Sequence, residues 1–313
     1  MGEIHKLLKE HGKQGVLQLD LDRRVIDAAA HYMGVEDGEI GFLYSGWAQS
    51  ALPHRRLDDK ATWQVRTDYV SLIVQPGLRH SPEGDPIPVG VPYGTRARLI
   101  CLYLQSEALR TNSREIELGP SLHAWLRRMK IPIGGKSMLL VRDQAERIAR
   151  CRMSFQIQRG GRTGLVNQNL LDTALFVDEY EGGRPGQFLE RAKLSEMFFE
   201  QLRRHPVPVE EAAIASLANN SLAMDTYCWL AYRLHALDKP TPVPWKSLHS
   251  QFGAAVARTC DFKPHFKQNL VLALSVYPDA KVEIEERGVV LFPSRPPVSA
   301  KVISLAVRPR LKA

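Results

Sequence analysis

Cysteine is scarce in this sequence, and the four present, Cys101, Cys151, Cys228 and Cys260, are scattered. No two have the close spacing a zinc site asks of its ligands, and three lie in apolar helical stretches, so they read as buried, reduced thiols. Long apolar runs are missing as well. No stretch of about 18 apolar residues exists to span a bilayer. The first six residues, Met-Gly-Glu-Ile-His-Lys, lack the apolar centre of a signal peptide. The expectation is a cytoplasmic protein with no membrane partner. Catalytic signatures are also wanting. The ten histidines are dispersed, with no His-x-His to hold a metal, no His-Glu-x-x-His and no nucleophile elbow. Gly134-Gly-Lys-Ser137 resembles the end of a phosphate-binding loop, but the glycine that loop needs five residues before Gly135 is Lys130, and a helix rather than a strand precedes it. Lone His123 and His249 read as surface or satisfied core groups, and Trp125 and Trp229, at helical spacing, as core. Taken together, these absences predict no enzyme, no metal and no cofactor.

What is present is an ordinary globular composition, 44% hydrophobic and 24% charged over 313 residues, with a formal net charge of +8. That length suggests two domains. The basic excess favours a polyanionic partner. It is unevenly placed: residues 1–60 hold 8 Lys/Arg against 10 Asp/Glu, so the cationic character belongs to the rest of the chain. Residues 1–40 read as one or two short helices through Ile4, Leu7 and Leu8, then Val25, Ile26, Ala29 and Ala30. Trp63 to Val74 alternates and is β-branched, which predicts a strand ending at Gln75-Pro-Gly77. From Tyr93 the order becomes informative. A helix over Arg96–Leu109 precedes a short strand at Ile116–Leu118. A second helix carries Leu122, Trp125, Leu126 and Met129 inward, a turn follows at Ile131–Gly135, and a third helix spans Lys136–Cys151 with Met138, Val141, Ala145 and Ile148 inside. Met153–Ile157, a basic glycine-rich tip at Gln158–Gly164, and Leu165–Val177 then predict a hairpin.

Helix, short strand, helix, turn, helix and hairpin is the winged-helix order, with the third helix reading a DNA groove and the hairpin as the wing. The order recurs: a helix over Leu222–Leu237, an extended Pro242-Val-Pro244, helices over Trp245–Phe252 and Phe262–Tyr277, and a hairpin of Lys281–Ile284 and Val289–Phe292. The expected architecture is therefore α+β, mainly helical, with two tandem winged-helix domains and β-hairpin wings. Its domains are a helical segment over 1–40, a first winged helix over 41–190, a second over 191–298 and a basic tail over 299–313, with the joint near Asp178–Arg191. Between Arg127 and Arg152 there are 8 basic residues opposed only by Asp143 and Glu146. Lys136, Arg147 and Arg150 are expected to face outward together and to release counterions from a phosphate wall. Candidate DNA contacts in the first domain are Lys136, Ser137, Arg142, Arg147, Arg150, Arg159 and Arg162. In the second they are Lys263, Lys267, Gln268 and Arg287.

Several segments are long and unusual. Gly41-Phe-Leu-Tyr-Ser-Gly46, Pro92-Tyr-Gly-Thr-Arg-Ala-Arg98, Ile131-Pro-Ile-Gly-Gly-Lys136, Gln144-Ala-Glu-Arg-Ile148, Asp225-Thr-Tyr-Cys-Trp-Leu-Ala-Tyr-Arg233, Phe262-Lys-Pro264, Ile284-Glu-Glu-Arg-Gly288 and Leu291-Phe-Pro293 stand in this order. With them the chain resembles the plasmid-encoded RepA replication initiators of the broad-host-range type, over about Gly41–Pro297. The resemblance implies a protein that binds direct repeats (iterons) in double-stranded plasmid origin DNA through both winged-helix domains. It also implies help in opening adjacent A·T-rich DNA, recruitment of the host initiator ATPase and replicative helicase, and a homodimer in equilibrium with monomer. No catalytic residues come with it. The rival is a winged-helix transcriptional repressor that binds an operator without melting an origin; a symmetric dimer would suit an inverted repeat, whereas two unlike heads on one chain suit a direct one.

Overall fold

The computed structural model describes residues 2–35, 38–67, 70–82, 84–159, 162–181 and 184–299; the side chains of 157–159, 162–163, 168, 178–181 and 184–187 fall outside that description. Basic residues of the expected tail beyond Ser299, and the glycines at the tip between residues 159 and 162, lie outside the described residues. The fold is α+β, and the described residues form two compact units, one within residues 2–51 with 207–299 and one within residues 52–206.

The first unit begins with α1 (Glu3–Val16) and α2 (Arg23–Met33), which close on Leu8, Val16, Ile26 and Ala29. Asp22 caps α2 by accepting from the Arg24 amide. β1 (Ile40–Tyr44) and α3 (Ser45–Gln49) follow. The chain then builds the second unit. β2 (Trp63–Arg66) and β3 (Val70–Gln75) are antiparallel partners, so the single strand expected over 63–74 is a hairpin; each arm alternates, and the shift of the apolar phase from Trp63 and Val65 to Val70, Leu72 and Val74 across Thr67-Asp68 marks the break in the sequence. β4 (Leu78–Arg79) and β5 (Ile87–Pro88) form a small ribbon. α4 (Gly94–Thr111) ends on Asn112 in the left-handed conformation. β6 (Glu115–Glu117), α5 (Leu122–Arg128), capped by Ser121, and α6 (Gly135–Arg150) come next. Trp125, Leu126, Val141, Ala145 and Ile148 are all buried, as their spacing predicted.

The strands after α6 depart from expectation. β7 (Arg152–Arg159) and β8 (Arg162–Asn169) pair with each other as predicted, but they extend β2 and β3 into a four-stranded sheet ordered β2-β3-β7-β8. β9 (Leu171–Glu181) and β10 (Arg184–Leu194) form a second, longer hairpin, and β10 pairs with β6. This corrects two readings. The hairpin bonded to the short strand before α5 is β9–β10, and the described residues of the supposed joint over Asp178–Arg191, 178–181 and 184–191, are strand. The acids that suggested a linker lie within β9 and β10, and Phe176, Val177, Phe188 and Leu189 supply the strand pattern. α7 (Glu196–Arg204), capped by Ser195, closes the unit.

The chain returns to the first unit through β11 (Pro206–Glu210), which pairs with β1, and α8 (Glu211–Ser216). These elements were not anticipated: two prolines disguise β11, which survives them as half of a two-stranded sheet. α9 (Ser221–Arg233), β12 (Thr241–Pro244), α10 (Trp245–Phe252), α11 (Thr259–Leu274), β13 (Val282–Ile284) and β14 (Gly288–Leu291) complete it, with sheet order β12-β14-β13. Its core is aromatic: Trp229 meets Phe252 edge-on at 5.5 Å, and Phe252 and Phe262 each lie 5.3 Å from Phe266. The first 40 residues do not stand apart from this core, because α2 packs on α8 and α11. Tyr32 on α2 donates its hydroxyl to Glu210 Oε2 at 2.6 Å, and His31 Nδ1 lies 2.7 Å from Ser216 Oγ.

Burial holds the Glu210 carboxyl above its usual range, against the lowering effect of the Tyr32 hydrogen bond. A carboxyl raised in the fold stabilises at acid pH, and that contribution is lost as pH rises through the folded value. Glu210→Gln keeps an acceptor for Tyr32 and removes the charge. It is expected to raise the melting temperature at neutral pH, with the gap over wild type closing as pH falls below the glutamate range; thermal melts at the two pH values test this.

Candidate nucleic-acid interface

α6 starts on Gly134-Gly135 without a side-chain cap and without an acid in its first turn. Lys136 is exposed there, Ser137 and Arg142 are half-buried, and Leu139 is 63% exposed. Arg127 and Lys130, at the end of α5 and in the turn that follows, are also exposed. The N-terminal half of α6 is thus the accessible and cationic half. In helix-turn-helix proteins it is the N-terminal residues of the second helix that reach base edges.

The C-terminal half is covered. Arg147 does not face outward: its side chain is 3% exposed. Its Nε donates to Asp143 Oδ1 at 2.9 Å and its Nη2 to Asp59 Oδ1 at 3.0 Å, and the guanidinium stands 5.3 Å from the Tyr93 ring centroid. Arg150 donates to Glu146 Oε1 at 3.1 Å and to the Leu78 carbonyl at 3.0 Å, and Glu146 also takes Arg79 at 3.3 Å. The expectation that Lys136, Arg147 and Arg150 form one outward face is therefore wrong for Arg147. Arg150, half-buried, spends its donors on the neighbouring helix turn and on β4. Asp143, one turn before Arg147, was legible as a partner. Asp59, distant in sequence, was not.

Gly90 makes this arrangement possible. Its φ is +75°, a conformation L side chains rarely adopt, and a Cβ there would run into Arg147 Nη1 and Asp59 Oδ1. Gly90→Ala is expected to destabilise the protein by about 1–3 kcal/mol through backbone strain alone, before any displacement of Arg147. Urea denaturation measures it, and a loss below about 0.5 kcal/mol, the ordinary surface range, would show that the site relaxes freely.

Arg159 and Arg162 face each other in register at the end of the β7–β8 hairpin; their side chains lie outside the description.

In the other unit, Lys267 and Gln268 on α11 are exposed and Lys263 is half-buried. The two ammonium groups lie 5.8 Å (Lys263) and 5.6 Å (Lys267) from the centroid of Trp245. Trp245 is buried and anchored by its indole N–H to the Glu286 carbonyl at 2.9 Å. The β13–β14 turn places Arg287 in the open, but Glu285 and Glu286 beside it are exposed too, which dilutes its attraction for phosphate. Trp245→Leu removes the ring beneath both lysines and the indole donor. It is expected to cost about 2–4 kcal/mol of stability.

The thiols are not uniformly buried: Cys101 and Cys151 are, Cys228 is half-buried and Cys260 is exposed. Burial pushes the Cys101 thiol up to about 12. His249 is satisfied, by the Val256 carbonyl at 2.7 Å and Thr259 at 3.3 Å, and Trp125 and Trp229 are core. Among the described residues no helix is long and apolar enough to cross a membrane.

Comparison with known proteins bears on this geometry. Residues 91–243 match the family described as plasmid encoded RepA protein. The crystal structure of selenomethionine derivatives of domains 2 and 3 of RctB is similar at a TM-score of 0.50 and 13% identity, covering 82% of this chain and 99% of that one. A further structure of RctB domains 2-3 gives a TM-score of 0.43 at 10% identity, covering 78% and 93%. No curated protein sequence matches the chain. At such identities the first structural likeness speaks for the fold alone.

Proposed function

We infer, from residues 91–243 belonging to the plasmid-encoded RepA protein family, that this chain is a replication initiator acting on its own plasmid's origin as double-stranded DNA. It works without catalysis or cofactor, in the bacterial cytoplasm. The observation that carries the reading is a topology present in both units. Each runs helix, short strand, helix, helix and hairpin, with the β7–β8 hairpin inserted after α6 in one of them, and in each the short strand pairs with the closing hairpin's last strand: β6-β10-β9 in one, β12-β14-β13 in the other. That supports two winged-helix modules, with α6 and α11 as the groove-reading helices and β9–β10 and β13–β14 as wings. The accessible cations on the two helices, Lys136 on α6 and Lys267 on α11, agree with it.

Two unlike modules on one chain suit direct repeats, so iterons are the natural target. Origin opening, recruitment of the host initiator ATPase and helicase, and a monomer–homodimer equilibrium are part of this reading, as what the resemblance to such initiators implies. The alternative is a repressor confined to an operator. Footprinting the purified chain on the DNA flanking its own gene, with salt varied, separates them. Periodic protection over direct repeats is expected. Protection of a single inverted repeat beside a promoter would make it a repressor, and no protection at low salt would overturn DNA binding altogether.

A further inference from the structure

The four-stranded sheet β2-β3-β7-β8 has one buried face, built on Trp63, Val65, Leu72, Val74, Met153 and Phe155. Its other face is open and has an unusual composition. All four strands together contain no aspartate or glutamate; of their four arginines, Arg66 and Arg152 stand at open-face positions, while Arg159 and Arg162 fall in phase with Phe155 and Val166 on the opposite side. The registers align the open face in rows. Arg66, Ser71 and Gln156 form one; Gln75, Arg152 and Asn169 form another. Of these six, five are exposed and Ser71 is half-buried. Guanidinium, amide and hydroxyl groups on an acid-free surface are the donors that grip phosphate and sugar.

We propose that this open sheet face is a second duplex-DNA-binding surface, which holds the phosphate backbone beyond the segment read by α6. The proposal rests on the DNA-binding reading given above and extends it. Arg152 lies two residues past the C-terminal end of α6, and a 16-residue helix is about 24 Å long. The face therefore meets DNA well outside the segment contacted by the N-terminal turn of α6. A single strand is a poorer occupant. Its binding uses aromatic platforms, and the apolar residues among the open positions, Ile73 and Leu165, offer no π-face. A second copy of the chain is a poorer occupant too. A two-fold contact would set this acid-free face against itself, arginine against arginine, with no carboxylate to compensate.

The test uses the full chain and a labelled duplex carrying the sequence that the wild-type protein protects. Arg66→Glu/Arg152→Glu and the neutral Arg66→Gln/Arg152→Gln are compared with wild type. Both positions are exposed, so the variants are expected to melt like wild type. The expected result is weaker binding, a slope of log affinity against log salt reduced by about 2 in the neutral variant, and loss of hydroxyl-radical protection at one edge of the footprint. An unchanged slope and footprint would overturn the sheet as a contact while leaving DNA binding by the chain intact. Altered sedimentation with unchanged DNA binding would assign the face to a second copy, and a defect limited to single-stranded DNA would assign it there; either overturns the proposal. Failure of the wild-type chain to bind any duplex would remove both readings together.

Discussion

Asp59→Asn combined with Asp143→Asn is expected to destabilise the unit over Leu52–Pro206 by roughly 3–5 kcal/mol, the cost of leaving a buried charge without its partners. Arg147 sits with 3% of its side chain exposed, while Asp59 and Asp143 are 34% and 38% exposed. The asymmetry decides the outcome. Neutralising the carboxylates leaves the guanidinium in place with its charge uncompensated, because arginine cannot shed its proton inside a protein. A total stability of about 5–15 kcal/mol makes that a large fraction. For the Asp59 carboxyl, burial acts to raise its pKa, but the hydrogen bonds from Arg56 and Arg147 win and hold it below the usual range. A depressed carboxyl stabilises above the unfolded carboxylate range, and the contribution is lost as pH falls through the folded value. The gap between wild type and double variant should therefore be full at neutral pH and shrink in acid. Urea denaturation across pH measures this. A loss under about 1 kcal/mol at neutral pH would mean the cluster behaves as an exposed ion pair.

The same residue shows where reading the sequence stops. Helical period placed Val141, Ala145 and Ile148 inside α6, and all three are buried. Period also put Arg147 on the opposite side, which would be solvent on an isolated amphipathic helix. What covers that side is the segment holding Asp59 and the turn of Gly90, Val91 and Tyr93, whose arrival depends on tertiary packing that no local pattern encodes. Strands fail in the same way. Alternation announced β7 and β8, and adjacency in sequence paired them. Nothing local said that β7 would join β3, or that the strand reaching back to β6 would be β10. In the last part of the other unit, after the unanticipated β11 and α8, short-range order sufficed: α10 falls on Trp245–Phe252 as read, and β12, β13 and β14 sit within a few residues of their expected positions. Of the candidate contacts on α11, Lys267 and Gln268 are exposed and Lys263 is half-buried, on a helix whose Phe266 and Leu270 are buried.

Lys136→Gln and Lys267→Gln, each alone and together, are expected to report how many units engage DNA. A lysine that neutralises a phosphate contributes about 0.9 to the salt slope, and its removal weakens binding nearly uniformly across sequences. The two lysines belong to different compact units, so without shared partners their effects should add. If both units bind, each single change lowers the slope by about 1 and the pair by about 2. If one unit binds, only its lysine matters, and the double variant behaves like that single one. Arg150→Gln is the control. Its guanidinium is committed to Glu146 and the Leu78 carbonyl, so it should leave the slope unchanged and show itself in stability instead. A slope that falls with Arg150→Gln and not with Lys136→Gln would mean that DNA lies along the C-terminal half of α6 and displaces β4 from it, the reverse of the placement argued from burial.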